Sequence, residues 1–66
     1  MFTYKIFYEG NLIKEIANQE NDWQIFKTMA NIQSHSIHFA LQTGYKVEEI
    51  NEETQEIKNW NPFYNK

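Results

Sequence analysis

The 66-residue chain has no cysteine and no arginine, one proline, two glycines and no long apolar run. Without cysteine there is no disulfide framework, no thiolate zinc or iron–sulfur site and no cysteine nucleophile. Without arginine the chain lacks the side chain best suited to bidentate phosphate and guanine contacts. Six lysines against nine acids give a net charge of −3, so the basic footprint of a DNA- or RNA-binding protein is missing as well. No stretch approaches the roughly 20 apolar residues that cross a bilayer. The N-terminal ten residues show no basic region followed by an apolar core, so the expectation is a cytoplasmic protein without a membrane partner. With 41% apolar and 17% aromatic residues the chain is rich enough in core formers to fold, as one domain over residues 1–66. That length is near the size at which a single core is only marginally stable.

Phe2, Tyr4, Ile6 and Tyr8 alternate through a β-branched and aromatic segment, the period of a strand with one buried face, so residues 2–8 read as a first strand. Glu9, Gly10 and Asn11 supply turn chemistry, and Leu12 to Ala17 resumes the extended pattern, which makes a hairpin. Its register has two solutions. A two-residue Glu9–Gly10 turn pairs Phe7 with Leu12; a three-residue loop pairs Tyr8 with Leu12 and Lys5 with Glu15. Asn18 to Asp22 offers capping side chains, and from Trp23 the apolar spacing changes to three and four, predicting a helix over residues 22–43 closed by Gly44. Trp23, Phe26, Ala30, Ile37 and Leu41 form its core stripe, with Gln33 interrupting. Ser34-His35-Ser36 leaves two solutions, one long helix or two shorter ones. Residues 45–50 and 55–60 then read as a second hairpin turning at 51–54. The tail 61–66 carries Phe63 and Tyr64 beside Pro62 and is expected to fold back. The order is ββαββ, an α+β fold with one long helix on a mostly antiparallel four-stranded sheet.

The segments YEGNLIKEI, LQTGYKVEEI and NEETQEIKNW, in this order around the helix, resemble small ββαββ proteins encoded by phages and mobile elements. Eight asparagines, eight isoleucines and lysine in place of arginine suit an AT-rich genome. The resemblance implies an accessory or inhibitory protein that acts by occupying a host protein. It carries over no catalytic residues.

On the helix a second apolar set, Ile25, Ile32 and Phe39, recurs every seven residues and widens the apolar arc to about 200°, where covering one sheet takes somewhat more than 100°. A second subunit, a foreign protein or the tail must cover the excess. A homodimer through Ile25, Ile32 and Phe39 is the reading adopted, with protein binding as the function and a host or defence protein as the inhibited partner.

Five acids, Glu48, Glu49, Glu52, Glu53 and Glu56, fall within nine residues around the second hairpin. They read either as a solvated, edge-protecting tip or as a patch that meets a basic surface in the manner of nucleic-acid phosphates. The second interpretation makes the chain an acidic mimic bound by a nucleic-acid-handling protein. The glutamates lack the aspartate-rich loop and internal glycine of an EF-hand. His35 and His38 share a helix face without a third ligand one turn away, so no metal and no cofactor are expected. Ser34 and Ser36 flank His35 but point apart, and no nucleophile elbow, glycine-rich phosphate loop or HExxH motif is present, so no enzymatic activity is expected either. Phe2, Tyr4, Phe7, Tyr8, Trp60, Phe63 and Tyr64 are numerous enough for a single-strand stacking platform, but only Lys5, Lys14 and Lys58 are candidates to share a sheet face with them, so core packing is preferred.

Overall fold

The computed structural model describes residues 1–32 and 37–61. Strands β1 (Phe2–Tyr8) and β2 (Asn11–Gln19) are followed by helices α1 (Trp23–Ile32) and α2 (Ile37–Gln42), then strands β3 (Tyr45–Asn51) and β4 (Ile57–Asn59). All strand pairs are antiparallel, and the sheet order is β2-β1-β3-β4. The expected single helix over 22–43 is replaced by two short ones; the Ser34–Ser36 segment on which that question turned lies outside the described residues. Length gives the reason. A seven-residue strand spans roughly 23 Å, whereas a continuous 22-residue helix would run roughly 33 Å and overhang the sheet.

Both registers foreseen for the first hairpin are used. At the turn Phe7 opposes Leu12 and Tyr8 opposes Asn11, while further along Lys5 opposes Glu15 and Tyr4 opposes Ile16. A bulge at Ile13 joins them, and a second irregularity falls between the partners of Tyr4 and Phe2. The turn itself has φ of 49° at Glu9 and 86° at Gly10. Two successive positive values are what a two-residue turn with the strands' own twist requires, and glycine at the second removes half the steric cost. The Glu9 amide donates to the Gly44 carbonyl at 2.9 Å, tying this turn to the loop that leaves α2.

Asn21 starts α1, its Oδ1 accepting the Trp23 amide at 2.9 Å, and the Phe26 amide closes the first turn on the Asp22 carbonyl at 3.1 Å. The buried stripe of α1 is Ile25 and Met29, flanked by the half-buried Phe26 and Ile32. This differs from the expected stripe: Trp23 and Ala30 are exposed, and Met29 takes the central place. On α2, Ala40 is buried with Ile37 and Leu41 packed around it. The core therefore joins Ile25, Met29 and Ala40 of the helices to Tyr4 and Ile6 of β1, Val47 of β3 and Trp60 just beyond β4. Each fully buried aliphatic side chain contributes about 1.5–3 kcal/mol relative to exposure. Trp60 locks the helix layer to the sheet: its Nε1 donates to Asp22 Oδ2 at 3.0 Å, and its ring meets Phe26 edge-on with centroids 5.1 Å apart.

Candidate functional site

Cross-strand partners share a sheet face, so the buried Ile6 and Val47, which oppose each other, define the inner face under the helices. The neighbouring positions then form the outer face, which no element of the described residues covers. Its middle row runs Glu15, Lys5, Glu48 and Asn59 across all four strands. Beside this row, at the end near the Glu9–Gly10 turn, stand Leu12, Phe7 and Lys46; at the other end stand Thr3, Ile50 and Ile57. Phe7 and Ile50 take no part in the core cluster, and Leu12 and Ile57 are 50% and 61% exposed. This face escaped the sequence reading because strand order decides which outward residues become neighbours, and the order was open. Its signal was present in the alternate positions Thr3, Lys5 and Phe7 of the first strand.

The helix residues singled out from the sequence do not stay together. Ile25 is fully buried inside the chain's own core, Ile32 is half-buried against that core, and Phe39 is 46% exposed on α2. Ile25 therefore presents no surface to a partner: the helix turns the 25–29–32 stripe onto the sheet and leaves Trp23, 65% exposed, on the outside. The Trp23 ring lies under Lys27 Nζ at 5.9 Å and, with Phe26, Asn21 and Asp22, lines an open cleft of about 660 Å³.

The five acids of the second hairpin run from the middle row of the sheet to its end away from the Glu9–Gly10 turn and serve different purposes. Glu48 pairs with Lys46 at 3.5 Å on the outer face. Glu49, on the inner face, accepts the Tyr4 hydroxyl at 2.7 Å and faces Lys58 at 3.7 Å. Burial, followed by this carboxylate, holds the Tyr4 hydroxyl well above the usual phenol range. Glu52 accepts the Thr3 hydroxyl at 2.6 Å and the Asn18 amide at 3.0 Å, which lowers its carboxyl from the ordinary value of 4.5. Asn18 has φ of 60°, so Glu52 takes up the amide of a residue in the irregular stretch of β2 and links three strands. Glu53 and Glu56 are exposed at the tip, where the Asn51 side chain accepts the amides of Glu53 and Thr54. A cleft of about 430 Å³ opens beside this end, lined by Phe2, Glu49, Asn51, Glu56, Ile57 and Lys58.

Among the described residues no three His, Cys, Asp or Glu side chains gather as a metal site. His35 lies outside the described residues. Lys5, Lys14 and Lys58 do not all share a face: Lys5 is on the outer face, whereas Lys14 and Lys58 oppose the inner-face positions Ile6 and Glu49. Tyr4 and Trp60 are buried, so neither offers a ring for stacking a base. No described helix is long and apolar enough to cross a membrane. No protein-family model, no curated protein and no solved structure matches this chain.

Proposed function

We propose that the chain is a non-enzymatic protein-binding module that works by surface contact and acts as a homodimer, in the manner of accessory or inhibitory proteins. The observation that carries this reading is the one-sided sheet. Helices cover the inner face, while no element of the described residues covers the outer face, and the large apolar side chains of Leu12, Ile57 and Trp23 are half or more exposed. Monomers rarely leave so much apolar surface free without an interaction to make. The solution mass by light scattering tests it across micromolar concentrations: twice 8.0 kDa is expected. A mass of one chain throughout removes the homodimer from the proposal.

The acidic-mimic reading draws on Glu53 and Glu56, the two hairpin acids most exposed to solvent. It is the weaker of the two, because Glu48, Glu49 and Glu52 already have partners within the chain. Its signature is binding to a nucleic-acid-handling protein that weakens steeply with added salt. Salt-independent binding would remove it.

A further inference from the structure

We infer that the outer face of the sheet is the self-association surface, two copies packing face to face about a two-fold axis that runs along the diagonal of the sheet. The inference rests on the homodimer reading above and assigns it a place and a geometry.

The sheet edges are unsuited to the task. β4 has three residues, and β2 is interrupted by two irregularities. In antiparallel pairing of two identical edges the axis is normal to the sheet, so opposing residues share a face. Any register centred on the middle of β2 then sets Lys14 against Lys14 or Glu15 against Glu15. Bulges and edge charges of this kind are how proteins prevent such pairing.

The outer face has the opposite character, because its pattern is complementary to itself. Phe7 and Leu12 occupy one corner, on β1 and β2 near the first turn. Ile50 and Ile57 occupy the diagonally opposite corner, on β3 and β4. An axis along the diagonal through these corners lays each apolar corner on its own copy, with the strands of the two sheets crossing at roughly 90°, one of the two arrangements that packed sheets adopt. The same rotation exchanges the remaining two corners. Lys46, at the β3 end near the first turn, is carried over the partner's β2, where Glu15 stands, with the Glu52 carboxylate reaching toward the same corner to hold Thr3 and Asn18. Lys46 thus meets opposite charge on the partner, twice per dimer. An isologous interface needs this kind of self-complementarity. The described protein is a slab of 33 × 29 × 17 Å, and its broad face has room for the about 800 Å² per partner of a standard interface.

Charge reversal at the two corners tests the geometry. Glu15 and Lys46 lie on strands separated by β1 and do not face each other within a chain. Each single reversal also sets like charges beside a neighbour of its own chain, Lys5 for Glu15→Lys and Glu48 for Lys46→Glu, so recovery in the double variant and in the mixture carries the test. With wild-type protein dimeric, Glu15→Lys alone and Lys46→Glu alone are each expected to raise the dimer dissociation constant by about 100-fold, since like charges face each other at two symmetric places. The double variant is expected to recover most of that loss, and an equimolar mixture of the two single variants to associate better than either alone. Unchanged circular dichroism and unfolding midpoints at high dilution establish that the variants fold. Dimers that tolerate both single reversals, or a double variant that recovers nothing, overturn the face assignment and leave the homodimer standing. A wild-type mass of one chain at every concentration overturns both.

Discussion

Tyr4 combines two roles that the alternation of the first strand does not separate: its ring fills the core, and its hydroxyl donates to Glu49. The folded state keeps this phenol neutral beyond its ordinary value of 10.0. A raised folded value contributes stability that is complete below the unfolded value and is lost as the pH rises past it. Ultraviolet titration is therefore expected to show Tyr4 ionising above the ordinary phenol value and together with loss of near-ultraviolet ellipticity. Tyr4→Phe should remove that late step, at a cost of about 1 kcal/mol for the lost hydrogen bond. A tyrosine titration completed near pH 10 with the fold intact would contradict it. Glu52 has the reverse sign. Its carboxyl is lowered by the Thr3 hydroxyl and the Asn18 amide, so its contribution is present above 4.5 and is lost as the pH falls through the lower folded value. Urea unfolding measured from pH 3 to 7 should show a shallower acid decline for Glu52→Gln than for wild type; equal slopes would show that the clamp carries no pH-dependent stability.

At the scale of elements, α1 shows how one heptad-spaced set splits into unlike roles. Ile25 has no exposed surface, whereas Phe39 on α2 is 46% exposed, so Ile25→Ala is expected to cost about 2–5 kcal/mol and Phe39→Ser under about 1 kcal/mol. Thermal unfolding of both variants at one low concentration measures this, and equal losses would refute the assigned faces. The strands, the two turns and the Gly44 helix stop were legible because period-two alternation and turn chemistry are local. The helix face was not. Trp23 looks like the start of a core stripe, but the Asn21 cap places it at the helix entrance, where its indole carries Lys27 and stays in water. Which of two overlapping stripes docks is decided by the partner surface, here Tyr4, Val47 and Trp60, and that surface is assembled by long-range pairing. The outer-face site was hidden for the same reason: the hairpin alone sets Lys5 opposite Glu15, but Glu48 joins them only once β1 lies between β2 and β3.

For the molecule as a whole, a core that among the described residues has seven buried side chains supports a sheet that no described element covers on one side, in a chain short enough that a single core leaves only a few kcal/mol of net stability. Anything that binds the native state and not the unfolded chain raises stability by mass action, and a second copy is such a ligand. If folding and association are linked, the unfolding temperature must climb with protein concentration. Each tenfold increase adds about 1.4 kcal/mol per dimer, shared by two chains, and for domains of this size that moves the midpoint by about 3–6 °C. The expected result is this slope for wild type in scanning calorimetry between low micromolar and high micromolar protein. Glu15→Lys and Lys46→Glu should both flatten it, since each removes the ligand without touching the core, and the double variant should restore it. A wild-type midpoint that does not move with concentration would mean that the core alone holds the fold, and that the outer face contributes nothing to stability at these concentrations.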